Sequence, residues 1–339
     1  MRYARYALVF AVVFAIAGLV SPAMAQKATI KIATLVPQGS AWFVTVQEMA
    51  QKWQQITGDR VTVRLYPGGV AGDDADVVRK MRLGTLDGGL LTAAGFAEID
   101  RSVFALAIPM AYASYEEFDA VLAQLGPQIE KIYADKGFVV LAWADAGWLH
   151  FFTKVPVRMP EDLKAQKLFC WAGDNPAIEL WKASGFSPVP LPATEISTAL
   201  QTGLVTALPT SPQAAVLMQW FTSAPYMTDV NWAVLSGGLV LSKAAWDKFP
   251  AELRPAVQEA ARAAALKLCA QTREGTIRDL EAMQKRGLKV VPVDAAAQAA
   301  WRKAAEAAYP GARGPFVPAA AFDEAIRLRD AYRASKAAK

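Results

Sequence analysis

Groups able to do covalent or metal chemistry are scarce in this chain of 339 residues. It has one histidine, His150, and two cysteines, Cys170 and Cys269. No nucleophile elbow, P-loop, dinucleotide fingerprint or cluster of ligands at metal spacing occurs in it. His150 falls inside a predicted strand and reads as structural. Gly68, Gly69 and Gly72 lie close together, but a turn explains them and no Walker lysine follows. Asp73, Asp74 and Asp76 stand where a helix is predicted to begin. Carboxylates there cap free N–H groups and offset the helix dipole, which accounts for them better than a cation site. A secreted enzyme would have to rely on a carboxylate pair such as Asp74 and Asp174. The chain is therefore not expected to be an enzyme, and no cofactor is expected.

The first 25 residues read as an address rather than as fold. Arg2 and Arg5 precede an apolar run, Ala7 to Val20, and Ala23-Met24-Ala25 supplies small residues before Gln26. This is the pattern of a secretory leader cleaved at about Ala25. Its apolar run is short for a membrane span. About 314 residues then remain, enough for two lobes. Removing Arg2 and Arg5 lowers the formal charge from +5 to +3, and the basic residues are scattered. No nucleic-acid footprint results. A Cys170–Cys269 bridge stays open: the compartment allows one, but both positions suit small buried thiols.

Two stretches share one grammar. In Glu161–Pro212, Lys167–Trp171 reads as a strand buried on both faces. Asp174 or Asn175 caps a helix with Pro176 in its first turn, and Gly185 stops it. Phe186–Leu191 is a second strand, Thr194 caps a second helix ended by Gly203, and Leu204–Pro209 is the third strand. Near the start, Ala28–Leu35 is a strand, Ser40 caps a helix running to Gly58, and Val61–Tyr66 alternates as a strand. Asp73–Leu83 is a helix and Asp87–Thr92 a strand. Each stretch is a βαβαβ unit, which places ligands outside the carboxyl ends of its strands.

The expected fold class is α/β: a two-lobed periplasmic binding protein of type II-like architecture. Gly137–Trp143 and Leu149–Thr153 are strands, with Gly147 as the crossing point between lobes. Leu235–Leu241 returns the chain to the first lobe. Pro250–Gly287 reads as one helix of about 35 residues, roughly 50 Å long, which braces both lobes. Ala295–Ala308 and Ala319–Ala334 are closing helices. On this reading 26–146 with 236–272 form one lobe, and 147–235 with 273–334 the other.

An ordered series of motifs resembles the solute-binding subunit of TRAP (tripartite ATP-independent periplasmic) transporters, the DctP family. It comprises Gly39-Ser40-Ala41-Trp42, Tyr66-Pro67-Gly68-Gly69 running into Gly72-Asp73-Asp74, and Met81-Arg82-Leu83-Gly84-Thr85-Leu86-Asp87. The second lobe adds Pro160 to Lys167, Pro188-Val189-Pro190-Leu191 and Ala199-Leu200-Gln201-Thr202-Gly203-Leu204-Val205. The resemblance implies a periplasmic receptor that closes on a small organic solute, usually a carboxylate, and delivers it to membrane permease subunits. It also implies a substrate-binding arginine two residues after Lys167, where this chain has Phe169, and a second near Gly147, where it has Leu149. A glutamate–asparagine pair implied after the third strand is replaced by Leu208-Pro209-Thr210-Ser211. Losing a guanidinium fork is chemically large. Either the ligand is no simple carboxylate, or backbone N–H groups near Ser40 or Asn175 hold its anion.

Strand-end geometry brings Trp42, Thr92, Trp148, Phe169, Trp171, Asp174 and Thr210 toward the gap. Trp148, Phe169 and Trp171 would make an aromatic wall, and Thr92 and Thr210 would offer hydrogen bonds from opposite lobes. The solute expected is a small organic molecule, an aromatic or apolar organic acid among the options. A receptor serving another transporter class or a sensor kinase remains the alternative.

Overall fold

A computed structural model describes residues 27–337; the leader expected at 1–25 lies outside them. Its strands are β1 (Ala28–Thr34), β2 (Val61–Tyr66), β3 (Gly88–Thr92), β4 (Phe138–Trp148), β5 (His150–Thr153), β6 (Lys167–Trp171), β7 (Ser187–Leu191), β8 (Ala207–Thr210), β9 (Tyr226–Thr228), β10 (Val234–Ser242) and β11 (Lys289–Val291). They form two sheets, ordered β2-β1-β3-β10-β4 and β11-β9-β5-β8-β6-β7. The repeated grammar is a repeated topology. In the first sheet β1 runs parallel to β2 and β3, and β10 joins β3 antiparallel. In the second, β6 runs parallel to β7 and β8, and β5 joins β8 antiparallel. The protein is a two-lobed α/β molecule.

Local chemistry starts and stops most of the elements as the sequence implies. Thr194 is an exception, since it lies inside the turn Ala193–Glu195 and the helix after it starts with no side-chain cap. Ser40 Oγ accepts the Phe43 N–H ahead of helix Ala41–Ile56, and Asp73 does the same for Asp76 ahead of helix Asp74–Arg82. Asp174 accepts the Ala177 N–H at helix Asn175–Ala183. Gly203 ends helix Ile196–Thr202 in the left-handed region at φ 76°, a conformation that only glycine adopts cheaply. Helix Tyr115–Asp135 runs straight through Gly126-Pro127, because Ile129 and Tyr133 beyond the proline are buried in the first core. Tertiary packing outweighs the break.

The chain crosses between sheets from β4 to β5 and again from β9 to β10. At the first crossing Gly147 has φ +93°, and a Cβ there would stand 3.2 Å from Thr272 Cγ2. The last connection is the helix Arg254–Gln284, 31 residues long. Val257, Ala261, Ala265 and Leu268 recur on one side of it and pack with Trp53 and Leu141 in the first lobe. Met283, near its other end, belongs to the core of the second lobe with Phe152 and Leu208. Small side chains let the helix approach closely: Trp53 Nε1 donates to the Val257 carbonyl at 2.9 Å. The brace expected of this helix is present. Helix Ala319–Ala337 buries Phe322, Ala325 and Leu328 with Phe118 and Val121 of the first lobe, whereas the sequence reading placed it with the second.

Candidate functional site in the cleft between the sheets

A cavity of about 330 Å³ opens where strand ends from the two sheets face each other. The first lobe contributes Thr34 and Pro37 after β1, Trp42, Asp74, Thr92 at the end of β3, Ala144–Ala146 of β4, and Leu235–Gly238 of β10. The second contributes Leu149, Phe169 and Trp171, Thr194 and Ser197, Leu208–Thr210, and Gln213 with its neighbours. Gly237 and Gly238 have no room for side chains, since a Cβ would lie 2.2 Å from the Leu91 carbonyl or 2.4 Å from that of Ala142.

Five of the seven residues that strand-end geometry singles out, Trp42, Thr92, Phe169, Trp171 and Thr210, line this cavity. Phe169 is only 3 % exposed and meets Trp171 edge-on, ring centroids 5.7 Å apart. Behind these two rings lies a second apolar chamber of about 160 Å³, which shares Leu149, Phe169, Trp171 and Pro209 with the first. Trp148 takes no part in either wall. It stacks at a tilt on Tyr115, 5.4 Å away. The β4–β10 register breaks between Asp145 and Trp148, with Gly147 at φ +93°, and this turns Trp148 away from the side that Ala144 and Ala146 line. Asp174 is also absent from the larger cavity. It caps its helix and accepts a hydrogen bond from Arg101 Nη1 at 2.9 Å.

Thr92 is largely committed. Its hydroxyl donates to Asp74 Oδ2 at 2.7 Å, its N–H donates to the same oxygen at 2.9 Å, and its Oγ1 accepts the Ala94 N–H. Asp74 does more than offset a dipole, since it fixes the end of β3. Burial, with a smaller push from the neighbouring Asp73 carboxylate, raises its pKa to about 6 against the lowering effect of the Thr92 hydrogen bonds.

Asp145, buried on β4, is a wall residue that sequence reasoning missed. Arg273 of the long helix holds it from behind through Nη2 at 2.7 Å and Nε at 3.2 Å, and holds Asp119 as well. The Ala142-Trp143-Ala144-Asp145 run carried the signal: an acidic residue in an apolar strand needs a partner. Ser236 and Leu149 were also missed. The Leu208-Pro209-Thr210 segment and both positions where arginines were implied, Phe169 and Leu149, face the cavity. Among the described residues no lysine, arginine or histidine lines it. His150 is buried, and that burial lowers its pKa to about 4, so the ring is neutral. Cys170 and Cys269 are both free thiols; burial pushes each up to about 12. No group of His, Cys, Asp or Glu among the described residues is arranged to hold a metal ion, and no helix there is long and apolar enough to cross a membrane.

Two α/β sheets joined by three crossings enclose a cavity between their strand ends. Residues 32–313 match the family model for the bacterial extracellular solute-binding protein, family 7 (DctP), and the chain belongs to that family. It is a TRAP-type solute-binding protein, not an enzyme. A solute-binding protein of Roseobacter denitrificans is 28 % identical over 283 residues, 82 % of this chain and 85 % of that protein. The C4-dicarboxylate-binding periplasmic protein of Rhodobacter capsulatus is 26 % identical over 249 residues, 70 % of this chain and 72 % of its own. The crystal structure of a TRAP periplasmic solute-binding protein from Pseudomonas putida F1 with bound D-glucuronate superposes with a TM-score of 0.80 at 25 % identity, covering 89 % of this chain and 97 % of the other.

Proposed function

We propose that the cleft binds a small organic solute with an aromatic or otherwise apolar body, and that the protein passes it to TRAP membrane subunits. On this reading the receptor works in the periplasm after loss of a leader ending at about Ala25. Trp42, Phe169, Trp171 and Thr210 are its ligand-facing residues, and Thr92 supports them. The observation that carries the reading is the wall itself, a cavity of about 330 Å³ whose surface is mainly apolar, with Trp42, Phe169 and Trp171 among its lining, and which no cationic side chain among the described residues enters. Apolar clefts with a few placed polar groups are the usual form of a small-molecule site. Sugar acids such as the D-glucuronate held by the Pseudomonas relative are poorer candidates here, because no cationic side chain among the described residues stands in the wall to pair with a carboxylate.

The test is a metabolite screen on the purified mature chain, read by tryptophan fluorescence and by melting temperature. A true ligand raises the Tm in proportion to ln(1 + [L]/Kd) and perturbs the emission of Trp42 and Trp171. A broad screen of ring-bearing organic compounds that moved neither signal would discard the reading.

A further inference from the structure

We propose that this cleft takes its solute uncharged, as a ring or alicyclic body bearing a neutral hydrogen-bond acceptor such as a primary amide, ketone or alcohol, anchored by Ser236 and Trp42. The proposal rests on the reading of the cleft as a solute site and goes further by fixing the solute's charge and its anchors.

Charge is the first ground. Among the described residues, Asp74 and Asp145 are the only ionisable side chains lining the larger cavity, and Asp174 lines the chamber behind it. Asp145 has its countercharge in Arg273, which lies on the long helix behind the strand and divides its donors between Asp145 and Asp119. Asp74 receives neutral donors, the Thr92 hydroxyl and N–H and the Gly95 backbone. A carboxylate entering the cleft would therefore leave water for an apolar surface carrying two acids and no exposed cation. Removing an ion from water without a partner is among the costliest steps in recognition. An amide of the same shape avoids it.

The second ground is independent of charge. Trp42 Nε1 and Ser236 Oγ are buried and lack a hydrogen-bond partner, and both residues belong to the cavity wall. Ser236 is 97 % buried, with 3 % of its surface exposed. Buried polar atoms in folded proteins nearly always have partners, so orphans in a cavity wall mark where a ligand group belongs. Two other polar groups nearby have partners: Gln213 Oε1 accepts from Thr272, and Ser197 Oγ accepts from Trp220 Nε1. The indole N–H is a donor only and the serine hydroxyl can donate. On this proposal each of the two would donate to a neutral acceptor on the solute, with Phe169 and Trp171 of the second lobe lining the same cavity beside its ring.

Matched pairs test this at pH 7.5: benzamide and benzoate, phenylacetamide and phenylacetate, cyclohexanecarboxamide and cyclohexanecarboxylate, each titrated by fluorescence and thermal shift. At least one amide is expected to bind, at least tenfold more tightly than its carboxylate. Ser236→Ala and Trp42→Phe are each expected to weaken that amide about fivefold, the loss of one net hydrogen bond. A carboxylate that binds as well as its amide would mean that backbone N–H groups replace the missing guanidinium, and it would overturn the proposal while leaving the receptor intact. Unchanged amide affinity in both variants would also overturn it. If no member of any pair binds, the ring-bearing solute of the preceding section falls, and this inference falls with it.

Discussion

Arg101 and Asp174 meet across the two lobes, Nη1 to Oδ1 at 2.9 Å, though 73 residues separate them in sequence. The guanidinium also donates from Nε to the Phe316 carbonyl and lies over two rings, 4.9 Å from the centroid of Phe104 and 5.1 Å from that of Phe316. Asp174 thus serves closure and helix capping. It stands outside the larger cavity, where a ligand partner would have to be.

This pair should set part of the open–closed balance. Arg101→Gln is expected to enlarge the ligand-free protein's radius of gyration in X-ray scattering. Asp174→Asn keeps the cap, because asparagine caps as well as aspartate, and removes only the charge. A double-mutant cycle in chemical denaturation should give a coupling of about 1–2 kcal/mol for this partly buried pair. A coupling near zero would make the contact incidental.

His150 and Asp74 should pull stability in opposite directions between about pH 4 and pH 6.5. His150 has a folded pKa lowered to about 4, so its contribution is present above its unfolded value and is lost as pH falls toward 4. Asp74 has a folded pKa raised to about 6, so its contribution is present at low pH and is lost as pH rises through 6. Each effect is on the order of 3 kcal/mol, and in the wild type they largely offset. Asp74→Asn should therefore lose stability on acidification from pH 6.5 to 4.5 relative to wild type, and His150→Gln should gain it. Denaturant midpoints at the two pH values decide, and a common sign for both variants would refute the assignment.

Arg273→Met should be the costlier of two neighbouring changes. It strands Asp145, whose side chain is 1 % exposed, whereas Asp119 is 48 % exposed. Leaving a buried charge unpaired costs about 3 kcal/mol or more, while an exposed pair is worth under about 1 kcal/mol. Asp119→Asn is thus expected to unfold close to the wild-type urea midpoint and Arg273→Met well below it.

Phe169→Ala should merge the two chambers. The ring is part of both walls, so its removal is expected to cost about 3–4 kcal/mol, as for other buried phenylalanines. Saturating benzene should restore part of the lost Tm, because an enlarged apolar cavity takes up a ring of the deleted size. Equal benzene responses in variant and wild type would show that the site collapses instead.

Much of the fold was legible because its signals are local. Caps such as Ser40 and Asp73 act within three residues, and the small-residue spacing of Val257 to Leu268 repeats every helical turn. The doubled βαβαβ grammar was likewise visible, and each copy is a set of parallel strands in its own sheet. The substitution of Phe169 and Leu149 was equally plain, at positions that turn out to face the cleft.

Only the tertiary structure decided which way strand-end side chains point and what they meet. Asp174 is drawn to Arg101, Trp148 to Tyr115, and Thr92 to Asp74, each partner supplied by a distant segment or another element. Helix Ala319–Ala337 joins the first lobe because Phe322 and Leu328 find their apolar partners there. Spacing along a chain fixes periodicity and caps, since these depend on near neighbours; the contents of a cleft depend on contacts that exist only once both lobes are assembled around it.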